Sequence, residues 1–131
     1  MRRAVEYIRV FSTDQGESHI DSGSIAVDSE QFAPPAPPLD VSVMDRAAGW
    51  NLLRFPPAWS GGWHCSPSRQ WMFVLAGHAT VGTSDGSQCD LQAGSILLLE
   101  DTRGKGHLTT IIGDDEVLIV AVQIAEDGPA A

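Results

Sequence analysis

The side chains best suited to proton transfer or metal binding in this 131-residue chain fall in two stretches. His64, Ser66 and Gln70 lie in W-H-C-S-P-S-R-Q, and Asp101 and His107 lie in E-D-T-R-G-K-G-H. Imidazole titrates near neutrality and also ligates metals, and a carboxylate beside it orients the ring. Asp101 with His107 is therefore a candidate acid/base pair, and His64 supplies a second imidazole. His64, Gln70 and His107 are also a candidate metal set, with Gln70 offering a neutral oxygen. Each residue has a plainer reading. A histidine in a strand wall can be satisfied by one hydrogen bond, Gln70 can bond His64, and Asp101 can serve a turn.

Side chains alternate along a strand. His64, Ser66 and Gln70 share a parity with Met72, Val74 and Ala76, so Gln70, Ser66 and Met72 are expected to line a ligand pocket. Trp71, Phe73 and Leu75 fall on the other face, and with both faces apolar this strand is expected to be covered on both sides. In the second stretch Leu97, Leu99 and Asp101 share a face, as do His107, Thr109 and Ile111. Gly104 and Gly106 let the backbone turn sharply before His107. Arg54 shares parity with Leu52. It is either an inward carboxylate clamp or a surface arginine, and the sequence leaves both open. Either Trp59 or Trp63 is expected at the pocket mouth.

The surrounding pattern predicts strands at Val5–Phe11, Ser24–Asp28, Val41–Asp45, Asn51–Phe55, Gln70–Ala76, His78–Thr83, Ser87–Leu91, Ser95–Glu100, His107–Ile112 and Glu116–Ala125. Ser12–Ser24 reads as a loop, Ala47-Ala48-Gly49 as a turn, and Asp85-Gly86 as a hairpin turn. Four prolines in F-A-P-P-A-P-P-L, Phe32 to Leu39, exclude helix and central strand. That segment reads as an extended crossing over this domain or onto a partner subunit, with an SH3-type ligand as the alternative. The tail from Glu126 is expected to fray. Many short strands joined by Gly, Pro and Asp turns, without helical periodicity, predict an all-β sandwich or barrel. The length suits one domain over residues 1–131, with N-terminal strands and the proline crossing in 1–40 and a barrel core in 41–125.

A formal charge of −9 argues against nucleic-acid and anionic-membrane partners, whose phosphates need clustered Lys and Arg. The apolar runs Ile96–Leu99 and Val117–Val122 are too short to span a bilayer. No signal peptide is read at the N-terminus, so a cytoplasmic location is expected. Cys65 and Cys89 make no disulfide framework and read as small, reduced apolar fillers.

The order G-G-W-H-C-S-P-S-R-Q-W-M-F-V-L-A-G, then a D-G hairpin, then L-Q-A-G-S-I-L-L-L-E-D and His107, resembles a small bacterial cupin. The first cupin motif is G-x5-H-x-H-x3,4-E-x6-G. His64 matches its first histidine and Gly77 its closing glycine, while Ser66 stands for the second histidine and Gln70 for the glutamate. In the second motif, G-x5-P-x-G-x2-H-x3-N, Gly94 and His107 match, the proline and asparagine are missing, and the spacing is longer. The resemblance implies an RmlC-like jelly-roll β-barrel, a homodimer and a small-molecule pocket. It also implies one divalent metal (Fe, Ni, Zn or Mn) on His64, Gln70 and His107, in a dioxygenase, isomerase or lyase type of enzyme. Two of the family's four ligands are lost, so a metal-free, non-catalytic binding or sensor protein is the alternative.

Overall fold

The computed structural model describes residues 4–126, and among them every regular element is a strand. The runs dense in β-branched and aromatic residues form the centre of the fold. One sheet holds β1 (Ala4–Ser12), β2 (Ser18–Ala26), β5 (Ala47–Phe55), β6 (Gln70–Ala76), β9 (Ile96–Glu100) and β11 (Val117–Ile124), in the order β2-β1-β9-β6-β11-β5. A second sheet orders β10 (His107–Ile111), β7 (His78–Thr83) and β8 (Gln88–Gln92). β3 (Asp28–Glu30) and β4 (Leu39–Val41) form a separate two-stranded ribbon. β1 runs parallel to β9 and antiparallel to β2, so the N-terminal strands are part of the large sheet.

The core lies between the two sheets. Val10, Val74, Leu97, Leu99 and Ile119 face Ala79, Val81, Leu91 and Ile111. β11 shows why the alternation works: Val117, Ile119 and Ala121 are buried, and Leu118, Val120 and Val122 on the opposite face are half-buried. Burying such side chains stabilises by roughly 25 cal/mol per Å² of apolar surface.

β6 and β7 have the boundaries read from sequence, because Gly77 interrupts one apolar run. Its backbone has φ +90°, and a Cβ there would lie 2.4 Å from the Glu116 carbonyl oxygen. Other expectations are corrected. Most of Ser12–Ser24 belongs to β2, a polar edge strand that pairs only with β1. Ala47–Gly49 is strand rather than turn, since Ala47 pairs with Ile124 and Gly49 with Gln123. Of Val41–Asp45, only Val41 is in a strand. β6 is covered by its own chain on one face only: Leu75 is exposed, and Trp71 and Phe73 are half-buried. The expected fraying beyond Glu126 concerns residues outside those described. No helix among the described residues is long and apolar enough to cross a membrane.

Candidate functional site

A cavity of about 470 Å³ opens between the sheets. β6 contributes Gln70 and Met72, β10 contributes His107, and the segment before β6 contributes His64 and Ser66. The wall is otherwise mostly apolar, including Leu91, Leu97 and Ile119. The structure therefore brings together five of the residues singled out in the sequence.

The two histidines are tied through their backbones. His64 N donates to His107 O at 3.1 Å, and His107 N donates to His64 O at 2.9 Å. This bridge depends on Gly106, whose φ is +76° and whose Cβ, if present, would lie 2.3 Å from the His64 carbonyl oxygen. The loop before it is anchored to the β1–β2 connection: Ser18 Oγ donates to Gly106 O at 2.6 Å, and Lys105 N donates to Gly16 O at 2.8 Å. The two imidazole centroids are 4.8 Å apart, with the planes tilted by 59°.

Each ring has its Nδ1 engaged. His107 Nδ1 donates to Asp101 Oδ2 at 2.6 Å, in a pair whose side chains are 5% and 0% exposed. His64 Nδ1 donates to Gly62 O at 2.9 Å. A carbonyl or carboxylate partner fixes the tautomer, which leaves Nε2 of each ring as the nitrogen that serves the cavity. Asp101 stands behind His107 and does not line the cavity. Its own backbone oxygen accepts from Ser66 N at 3.0 Å, and its Oδ1 is buried with no hydrogen-bond partner. Its carboxylate is thus committed to one imidazole. Gln70 Nε2 donates to Ser66 Oγ at 3.0 Å, and Ser66 Oγ donates to Ser68 O at 2.6 Å. Gln70 Oε1 is left for the cavity.

Arg54 borders the cavity, but its guanidinium is not a clamp inside it. The side chain is 73% exposed, and its Nε donates to Glu116 Oε1 at 2.7 Å. Leu53 and Phe55, of opposite parity, pack on the core instead. Of the two tryptophans considered for the mouth, Trp59 lines the cavity, and its ring meets Phe55 edge-on at 4.9 Å. Trp63 does not line it. Asn51 also lines the cavity and was not singled out; its inward parity with Leu53 was the available signal.

Outside the cavity, Glu100 sits between two arginines, with Arg9 Nε at 2.5 Å and Arg69 Nη2 at 2.6 Å. Burial pushes its carboxyl up, but the hydrogen bonds from Arg9 and Arg69 outweigh this and hold it below the ordinary value. Asp85 is held well below the usual carboxylate range, first by the Thr83 hydroxyl and then by the Ser87 backbone N–H.

No protein-family model matches the chain, and no curated protein matches it significantly. Among solved structures, the cupin domain of Schizosaccharomyces pombe Cnp3 superposes with a TM-score of 0.50 at 9% identity, covering 95% of this chain and 86% of that one. A predicted oxalate decarboxylase from Thermotoga maritima gives 0.49 at 16% identity, over 90% and 91% of the two chains. A cupin 2 conserved barrel domain protein from Salinispora arenicola gives 0.49 at 18%, over 78% and 76%. The fold is that of a cupin barrel, with all-β double-sheet architecture.

Whether the site suits a divalent cation is decided by its donors. It offers two imidazole nitrogens and one amide oxygen. The nearest carboxylate, Asp101, is turned to the far side of His107. Among the described residues, no three His, Cys, Asp or Glu side chains form a group that could hold a metal. A firm site has three or four good ligands, and neutral ones do not offset a dication as a carboxylate does. The set His64, Gln70 and His107 does not fit a resident metal.

Proposed function

We propose that the cavity binds one small, largely apolar organic molecule carrying a carbonyl group, and that the adjacent imidazoles move a proton on it. The observation that carries this reading is the buried Asp101–His107 pair behind a cavity that His64 also lines. His107 Nε2 takes a proton from the carbon next to the carbonyl. The C–H electron pair becomes a C=C bond, and the carbonyl oxygen takes a proton that His64 passes on from solvent. Asp101 offsets the charge that His107 gains. His64 is exposed and exchanges its proton with solvent. Return of the proton to the same carbon is exchange; in a substrate with a C=C bond β,γ to the carbonyl, its return to the γ-carbon, with the hydroxyl proton leaving through His64, makes this an isomerisation. General acid–base catalysis of this kind contributes about 10²–10⁴-fold.

The test is deuterium incorporation, followed by NMR, into phenylacetone, cyclohexanone and 2-heptanone in D2O. Exchange above the buffer rate, lost in His107→Gln and reduced in Asp101→Asn, supports the reading. Binding without exchange favours the non-catalytic alternative, a ligand-binding protein, for which the same cavity suffices. Elemental analysis of protein purified without chelator or tag is expected to give well under one metal per chain. Stoichiometric metal that disappears in the His64→Ala/His107→Ala variant would overturn the metal-free assignment.

We also propose that a second copy of this chain covers the outer face of the large sheet. Trp50 and Leu52 on β5 are 70% and 56% exposed, beside Val120, Val122, Trp71 and Phe73 in register. Among the described residues the β3–β4 ribbon is a sheet of its own, and an isolated two-stranded ribbon is marginal in water. The segment after it leaves Val43 and Met44 exposed, close in sequence to Asp45, whose carboxylate accepts from Trp71 Nε1. The bond from Trp71 ties the segment that carries Val43 and Met44 to the exposed face of the large sheet. Sedimentation at micromolar concentration is expected to show a dimer that Trp50→Asp/Leu52→Asp converts to monomer; a monomeric wild type would remove the proposal.

A further inference from the structure

A second concavity, of about 440 Å³, adjoins the first, and the two share Asn51, Pro67, Gln70 and Ala121. Its chemistry differs from that of the larger cavity. The inner face of the large sheet changes character in steps along the strands. Leu53, Ile119 and Val74 form one row, Asn51, Ala121 and Met72 the next, and Gly49, Gln123 and Gln70 the last. The polarity thus rises towards one end through uncharged groups, the carboxamides of the sheet with Ser68 beside them. Asn51, Gln70 and Gln123 line the second concavity, and no charged residue does.

Two neighbouring cations, Arg69 and Arg54, do not change this. Arg69, next to Gln70 in sequence, has its guanidinium on Glu100 at 2.6 and 2.9 Å and on Glu126 at 3.3 Å. Arg54 is on Glu116. Both guanidinium groups are matched by carboxylates, so neither is presented to an anionic head group. A carboxamide offers two donors and one acceptor oxygen, which suits partners that both donate and accept. An ionised head would meet no opposite charge here and would lose part of its hydration without return.

We propose that this second concavity recognises an uncharged head group, a hydroxyl or a carboxamide, carried on the molecule whose apolar body occupies the larger cavity. Gln70 belongs to both cavities, with one amide group shared between the imidazole end and the head-group end. The inference rests on the larger cavity being a small-molecule site. It adds that the ligand is bipartite: an apolar body inside and a neutral hydrogen-bonding head at the mouth. Gly49, in register with Gln123, keeps this end of β5 free of a side chain, since nothing lies within 4 Å of where its Cβ would be.

The test uses three probes with the same body: 4-phenylbutanamide, 4-phenylbutanoate and 4-phenylbutylamine, titrated at 0.15 M salt. Imidazole resonances of His64 and His107 report the larger cavity, and the side-chain NH2 resonances of Gln123 report the smaller one. The amide is expected to bind about tenfold more tightly than either charged probe, a difference of about 1.4 kcal/mol. Gln123→Leu is expected to remove most of that advantage, and Gln123→Glu to shift preference towards the amine. Gln123 is exposed, so both variants should fold, which circular dichroism checks. If imidazole shifts appear but the amide has no advantage, or Gln123→Leu leaves its affinity unchanged, the head-group inference fails while the larger cavity stands. If no probe moves the imidazoles of folded protein, both readings fail.

Discussion

The molecule holds two histidine–aspartate pairs of nearly the same geometry in different surroundings. His107 Nδ1 meets Asp101 Oδ2 at 2.6 Å, and His19 Nδ1 meets Asp85 Oδ2 at 2.8 Å. The first pair is buried, with side chains 5% and 0% exposed; the second is 36% and 24% exposed. Asp85 also accepts from the Thr83 hydroxyl at 2.6 Å and the Ser87 N–H at 3.0 Å, so its main work is to close the β7–β8 turn. Asp101 has no side-chain partner besides His107. Bond geometry alone does not distinguish the two pairs; the burial of the carboxylate and the number of its other partners do.

The largest expected effect comes from breaking the buried pair. His107→Ala leaves the Asp101 carboxylate buried and unpaired, which typically costs about 3–5 kcal/mol. Urea unfolding checks this, and a loss below about 1 kcal/mol would mean that the variant gives the carboxylate another partner or water. Gly106→Ala comes next. Its Cβ would collide with the His64 carbonyl at a backbone angle that L residues rarely adopt. The bridge between the two histidines should open at a cost of about 2 kcal/mol or more. Broadened imidazole resonances for both His64 and His107 would report it.

Stability against acid sharpens the comparison further. Asp85 and Glu100 have folded-state pKa values below their unfolded ones. Each therefore contributes stability that is present above the unfolded value, near 4, and is lost as pH falls through the folded value. The melting temperature should hold from pH 7 to about 5 and decline below that. Asp85→Asn should flatten part of the decline. An unchanged acid limb in that variant would show that the turn does not depend on the carboxylate's charge.

Much of the fold was legible because β6, β9 and β11 are dense apolar runs ended by glycine or polar residues, and β7 lies between Gly77 and the Asp85-Gly86 turn. β2 was hidden by its composition: S-H-I-D-S-G-S-I-A is an edge strand whose outward residues are polar, and Gly23 is there to admit Tyr7, whose ring would meet a Cβ at 2.4 Å. The start of β5 was hidden because Ala-Ala-Gly has no strand signature and becomes strand only by pairing with β11. At the site, parity grouped Gln70 with Met72 and His107 with Thr109 and Ile111. It was silent on Arg54, because both faces of N-L-L-R-F carry a leucine. The Asp101–His107 pairing was readable, but which ring nitrogen it engages was not, and neither was the turn that brings Gly62 O back to His64 Nδ1. Asn51 and Gln123 look in sequence like solvated strand residues; only the register puts both beside Gln70.

The smallest expected effect tests the comparison from its other side. His19→Ala removes the exposed partner of Asp85 and a ring stacked on Phe11 at 5.6 Å between centroids. Exposed ion pairs contribute at most about 1 kcal/mol. Asp85 keeps its bonds to Thr83 and Ser87 in the variant, so no buried group loses its partner. Urea unfolding should therefore move by less than about 1 kcal/mol, and the cavity's imidazole resonances should not shift. A loss as large as that of His107→Ala would break the distinction. It would mean that the Asp85 turn leans on His19 as heavily as the cavity wall leans on the buried pair.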